Sequence, residues 1–231
     1  MKTLRIALVG DYDPAVTAHR AIPGALELAG LSLGLPLVWE WIGTDLMSDG
    51  SIAPIAGADG IWVVPNSPYR SEAGAIAAIR HAREAGRAFF GTCAGFQHAV
   101  LEFARHVAGL NRAAHAEVEP DAETPVIAAL QCGLVEQSGE VVIEPDSRVG
   151  RAYGSSRVRE TYHCNYGLNP RYQHLLATGP LRVSARDLAG EVRAVELDGP
   201  AFFVATLFQP ERAALSGRAH PLINAFVGAA A

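Results

Sequence analysis

Two rhythms of apolar residues run along this chain. In the first half, short continuous runs alternate with longer stretches spaced for one helical face. The runs at 4–9, 37–42, 61–64 and 88–90 read as buried strands, each bounded by Gly or Pro or by a change of period. Between them, residues 18–28, 71–85 and the segment from Cys93 to about Val107 carry helical spacing. The last has Phe96, Val100, Phe103 and Val107 as its stripe. Pro23-Gly24 blurs the start of the first helix. The second half changes character. Residues 141–143, 156–163, 181–184, 191–197 and 201–207 read as strands in close succession, followed by a short terminal helix over 221–227. Strands alternating with helices predict an α/β fold of three layers, with a mostly parallel central sheet flanked by helices. The crowded strands of the second half predict antiparallel additions to it.

Composition narrows the setting. A chain of 231 residues, 49% hydrophobic and 19% charged, can bury a full core, and one domain over 1–231 is expected. The net charge of −5 is interspersed, which argues against nucleic-acid and membrane-surface binding. Met1-Lys2-Thr3-Leu4 leads straight into a strand, so no signal peptide and a cytoplasmic location are expected. Cys93, Cys132 and Cys164 form no close pair in sequence, so a zinc site or a disulfide framework is not expected. Cys132 and Cys164 read most simply as structural thiols, with a place in a pocket wall as the alternative for Cys164. No metal and no cofactor are expected.

The most informative stretch is Gly91-Thr92-Cys93-Ala94-Gly95-Phe96-Gln97, where a strand hands over to a helix. A cysteine in such a bend projects above the sheet edge, and small neighbours let the chain pass close by. The helix start supplies free N–H groups and partial positive charge, which favour a thiolate and a developing oxyanion. The pattern Gly-x-Cys-x-Gly-x-Gln resembles the nucleophile elbow of class I glutamine amidotransferases, a flavodoxin-like fold. Further motifs resemble the glutaminase domain of the CTP synthase branch of that family. They are Val9-Gly10-Asp11-Tyr12, Val63-Val64-Pro65, the helix from Leu101 to Gly109, Pro125-Val126-Ile127, Tyr166 with Asn169, the segment from Phe203 to Glu211, and His220-Pro221-Leu222. The resemblance implies Cys93 as nucleophile and Glu211 as third triad member. It implies Glu117 as the carboxylate that holds a substrate ammonium. Ala94 with Asn66 or Ser67 would form the oxyanion hole, and Gln97, Asn165 and Tyr166 would line the substrate pocket.

The departures from the pattern matter as much. Gln209 stands where the family has its histidine base, and an amide cannot take up a proton near neutral pH. Losing such a base typically lowers rates about 10²–10⁴-fold. Pro65-Asn66-Ser67-Pro68 replaces paired glycines in the oxyanion loop, and Pro68 has no N–H to donate. Asn165 aligns with the family arginine that grips the substrate carboxylate, which removes a charge-assisted bond. The resemblance with these changes implies a substrate other than ordinary glutamine. His115 and His163 are the candidate substitute bases, each with a structural role as its alternative; His98 more simply packs beside the sheet.

Three readings of function stay open. The preferred one is a stand-alone Cys-dependent amidase that cleaves a small glutamine-like amino-acid derivative through a Cys93 thioester. A second is a catalytically impaired glutaminase domain that serves as a binding or regulatory module. A third is a glutaminase subunit of a separate synthetase, since no Gly-rich phosphate loop with lysine is present. The expected partner is a small amino-acid-like molecule; a homodimer is left open.

Overall fold

The computed structural model describes residues 2–231. Its strands are β1 (Leu4–Val9), β2 (Leu37–Ile42), β3 (Gly60–Val63), β4 (Ala88–Thr92), β5 (Ala114–His115), β6 (Pro125–Ile143), β7 (Arg157–Leu168), β8 (Leu181–Asp187), β9 (Val192–Leu197) and β10 (Phe203–Thr206). Its helices are α1 (Thr17–Leu33), α2 (Glu72–Glu84), α3 (Ala94–His106), α4 (Arg148–Tyr153), α5 (Leu175–Thr178) and α6 (Pro221–Ala229). All ten strands join one sheet, in the order β2-β1-β3-β4-β10-β9-β8-β6-β5, with β7 paired to β6. The first five in that order are mutually parallel. From β10 onward the pairs β10–β9, β9–β8, β8–β6 and β6–β7 are antiparallel. The mostly parallel sheet with antiparallel additions is therefore as expected.

Strand period sorts the core into two apolar layers. Leu4, Ile6, Leu8, Trp62, Phe90 and Val204 face one side and pack with Ile22 and Leu26 of α1 and Leu222 and Phe226 of α6. Ala7, Val9, Ile61, Val63, Phe89 and Phe203 face the other, against Ile76 and Ile79 of α2 and Phe96, Val100 and Phe103 of α3. Central strands buried on both faces show continuous apolar runs, which is why they were readable without alternation.

Several elements differ from expectation, among them the short β5 and α5, which were not expected. Helix α1 continues beyond residue 28 to Leu33 and ends at Gly34, whose φ of 66° gives the left-handed cap. Pro23 sits inside it and only forfeits the bond to the His19 carbonyl. Strand β6 is far longer than residues 141–143; it forms with β7 an arm interrupted by two register shifts, between Ala129 and Leu134 and between Val135 and Gln137. Most of that arm's β6 half is exposed, so no apolar pattern marks it. Helix α4 was not foreseen; Ser147 caps it by accepting from the Gly150 N–H at 2.8 Å. Among the described residues, no helix is long and apolar enough to cross a membrane.

The turn from β4 into α3 depends on two glycines. A Cβ on Gly95 would sit 2.1 Å from the Val63 carbonyl oxygen, and one on Gly91 would sit 2.9 Å from the Gly95 backbone. Gly95→Ala should destabilise the protein by about 1–3 kcal/mol or more. Gly228→Ala, in α6 with its nearest neighbour 3.9 Å away, should be neutral or stabilising by up to about 1 kcal/mol. Urea midpoints of the two variants check this; equal shifts would show that the β3–α3 approach is slack.

Candidate active site

The crevice lies outside the carboxyl ends of the parallel strands, the usual place for ligands in such sheets. Strand β4 delivers Cys93, β3 delivers the 64–68 loop, and β10 delivers Gln209. Cys93 has φ 51° and ψ −102°, a conformation that side-chain-bearing residues rarely adopt. Its N–H donates to the Thr206 carbonyl at 2.9 Å, which ties the elbow to β10. The first N–H groups of α3 lie immediately beyond and have no intrahelical acceptor.

A cavity of about 340 Å³ opens over Cys93. Asn66, Ser67, Gln97, Glu117, His163, Asn165, Tyr166 and Gln209 all line it, so most sequence-predicted site residues converge. Residues 15–18, at the start of α1, complete one wall together with Glu136 and Arg212. Glu117 contributes a carboxylate whose Oε2 is buried without a hydrogen-bond partner. A buried carboxylate oxygen without a donor is costly unless a ligand supplies one.

The 64–68 loop is braced from below. His19 Nδ1 accepts from the Asp13 N–H at 3.0 Å, so Nε2–H donates to the Pro65 carbonyl at 2.8 Å. Burial pushes the His19 pKa down and keeps the ring neutral in this role. Tyr69 donates its hydroxyl to the Val64 carbonyl. Asn66 has φ 88°, as an asparagine tolerates better than most residues.

The two candidate bases are placed away from the task. His115 is buried: Nδ1 accepts from the Glu117 N–H at 3.2 Å, so Nε2–H donates to Gln97 Oε1 at 3.0 Å. Burial, with the nearby His98 and Arg105, pushes its pKa down to about 3. The Gln97 amide in turn donates to the Tyr166 carbonyl at 2.8 Å. His115 and Gln97 thus form a strut that holds Glu117 and β7. His98 is also buried, stacked on His115, with Nδ1 2.8 Å from the Ala94 carbonyl. His163 does line the cavity, but its Nδ1 pairs with Glu136 Oε1 at 2.8 Å on the exposed side. Its carbonyl oxygen, not its ring, lies 3.4 Å from Cys93 Sγ.

The group at the position of the expected base is an amide. Gln209 is buried, donates its backbone N–H to the Thr161 carbonyl, and accepts from Arg212 Nη1 at 3.2 Å. Arg212 also pairs with Glu136. Sequence reasoning missed this Gln209–Arg212–Glu136–His163 chain. Arg212 could have been found, since it follows Gln209 by three residues in a helical turn; Glu136, on an exposed arm, left no signal. Glu211 is fully buried, with Oε1 3.5 Å from Thr92 Oγ1 and Oε2 unpaired. Burial raises its pKa to about 8. Near pH 7 the neutral acid therefore predominates over the anion that would orient an imidazolium.

One expectation is overturned. The three cysteines do include a close pair: Cys164 Sγ, from β7, is in bonding contact with Cys93 Sγ, the Cα atoms being 6.3 Å apart. Both cysteines line the cavity. Separation in sequence hid the pair, because β7 lies alongside the elbow only once the sheet is assembled. Cys132 is exposed on β6 and unpaired.

Comparison with known proteins agrees with this geometry. The model of the family described as glutamine amidotransferase class-I matches residues 26–229. The chain belongs to that family. Within it, the relatives include CTP synthases. The chain is 33% identical over 240 residues to the CTP synthase of Rubrobacter xylanophilus, covering 99% of this chain and 43% of that one. It is 38% identical over 225 residues to the CTP synthase of Halobacterium salinarum, covering 94% and 40%. It thus spans less than half the length of these relatives. Among solved structures, the glutaminase domain of Trypanosoma brucei CTPS with bound acivicin superposes with a TM-score of 0.88 at 26% identity, covering 99% of this chain and 94% of that one.

The buried acid gives a pH signature. Its folded pKa, about 8, lies above the ordinary value of 4.5, so the folded state holds a proton that the unfolded state releases between them. The stabilising contribution is full below the unfolded value and lost as pH rises towards 8. Glu211→Gln should therefore gain stability relative to the parent between about pH 5 and pH 8, by a few kcal/mol at most. Denaturant titrations at both pH values check it; a pH-independent difference would mean that Glu211 is ionised in the folded protein.

Proposed function

We propose that this chain is a binding module on the glutaminase fold, one that holds a small amino-acid-like molecule over Cys93 without an imidazole to drive amide hydrolysis. The carrying observation is the surroundings of the sulfur. Among the described residues, Cys93 Sγ meets the His163 carbonyl and Cys164 Sγ, while the base position holds Gln209. Neither an amide nor a carbonyl can take the thiol proton or return one to a leaving amine. The binding half of the site persists. The unpartnered Glu117 oxygen suits an ammonium group, and the start of α3 suits a polarised carbonyl. With Asn165 rather than an arginine at that point of the cavity wall, and with Arg212 already engaged by Gln209 and Glu136, the ligand's carboxylate is held weakly, which favours derivatives that lack or mask it.

A second reading rests on the His163–Glu136 pair, which lines the same cavity. It is a stand-alone amidase in which His163 rotates towards Cys93, with Glu136 as orienting carboxylate, and the acyl group passes through a thioester. The third reading, a glutaminase subunit of a separate synthetase, is supported by the similarity to CTP synthases and requires that synthetase to receive ammonia.

Calorimetry and ammonia release under reducing conditions separate these readings, with glutamine, amide-substituted amino acids and acivicin as probes. The parent should bind a probe without Cys93-dependent ammonia release. Glu117→Gln should weaken binding about ten- to a hundredfold. Gln209→His should create glutaminase activity about 10²–10⁴-fold over the parent. Ammonia release by the parent that disappears in both Cys93→Ser and His163→Ala would replace this reading with the second.

A further inference from the structure

We propose that Cys93 and Cys164 form a redox-active dithiol that reduces a small hydroperoxide, an activity independent of any amide or ligand chemistry. Three observations carry it. The two sulfurs touch, and their Cα separation of 6.3 Å lies within the span that a disulfide bridges without backbone movement. Both residues line the 340 Å³ cavity, so an oxidant has a path to them. Cys93 stands at the start of α3, a helix of 13 residues whose free N–H groups stabilise a thiolate and the oxyanion expelled from a peroxide. The nearest group to Cys93 Sγ besides the His163 carbonyl is a second thiol, that of Cys164.

The size of the opening selects the oxidant. Cys93 is 7% and Cys164 3% exposed. A protein disulfide cannot reach sulfurs so enclosed, whereas a small hydroperoxide can.

The steps balance as follows. The Cys93 thiolate attacks one peroxide oxygen, the O–O bond breaks, and the alcohol or water leaves with the proton released by the thiol. Cys93 is left as a sulfenic acid, two electrons oxidised. The Cys164 thiol attacks that sulfur, an S–S bond forms, and the hydroxyl leaves as water with the Cys164 proton. A soluble dithiol then exchanges with the disulfide, restores both thiols and is itself oxidised to its cyclic disulfide. Cys164 Sγ lies 3.2 Å from the Leu207 carbonyl, an acceptor that keeps the reduced thiol in place beside Cys93.

The test uses the full chain carrying Cys132→Ser, which removes the exposed thiol and leaves the pair intact. The reduced protein is treated with one equivalent of hydrogen peroxide and mapped by peptide mass spectrometry; peroxide turnover is then followed with dithiothreitol as reductant. The expected result is loss of both thiols, a Cys93–Cys164 cross-linked peptide, full recovery by dithiothreitol, and multiple turnovers. Cys164→Ser should accumulate a dimedone-reactive sulfenic acid at Cys93 and lose turnover by at least an order of magnitude. Persistence of both free thiols, or oxidation of Cys93 to sulfinic acid with no cross-link, would overturn the proposal. So would a parent oxidised only by low-molecular-weight disulfides. Because the parent pair is mapped directly, the result stands even if the serine variant folds poorly, and neither readout depends on ligand binding or ammonia release.

Discussion

Cys93 can hold its unusual backbone conformation only because Gly91 and Gly95, two residues away on either side, have no side chain to fit. Gly95 passes so close to the Val63 carbonyl, and Gly91 so close to Gly95, that a single carbon on either would force the elbow open. The strain of a positive φ at a residue with a side chain is of the order of 1–3 kcal/mol, and it persists where surrounding contacts over-determine it. Here those contacts are the bond from Cys93 to Thr206 and the docking of α3 on the inner face of the sheet. Everything else at the site is arranged around a sulfur whose position is fixed by these glycines.

Around that fixed point the electrostatics have been rewritten. With an amide at position 209, the Glu211 carboxyl has no imidazole to face, and burial, outweighing the nearby Arg212, drives it towards the neutral form. The cationic role has moved outward: Arg212 holds Gln209 on one side and Glu136 on the other, and Glu136 engages His163. A chain of charge that would have run beneath the nucleophile now runs across the outside of the cavity. Arg212 and His163 hold the Glu136 carboxyl below its usual range, so that carboxylate stays ionised at neutral pH.

What could be read from sequence follows from what local pattern encodes. The parallel half was legible because its strands are buried on both faces and its helices have one apolar stripe. The elbow was legible because glycine spacing around a cysteine is rare without a steric reason. Glu117 and the 66–67 loop, singled out by resemblance, line the cavity. The β6–β7 arm was not legible, since residues exposed on both faces obey no period. Neither was the fate of the histidines. Whether an imidazole is a base or a strut depends on which donors surround it, and His115 meets the Glu117 N–H and the Gln97 carbonyl oxygen only after α3 and β6 have packed. The cysteine pair belongs to the same category, two residues 71 apart made neighbours by strand order.

The arm has one more consequence. Strand β7 pairs with β6 alone in the sheet; on its far side Gln209, Cys93 and Gln97 already take the Thr161, His163 and Tyr166 carbonyls, so the margin left to a passing chain is the stretch before Thr161. Such a margin invites self-templating into fibres or swapped assemblies. The twin register shifts in the arm and the exposed Arg157 and Arg159 blunt that hazard, by bending the ribbon and by repelling a second copy presenting the same basic fringe.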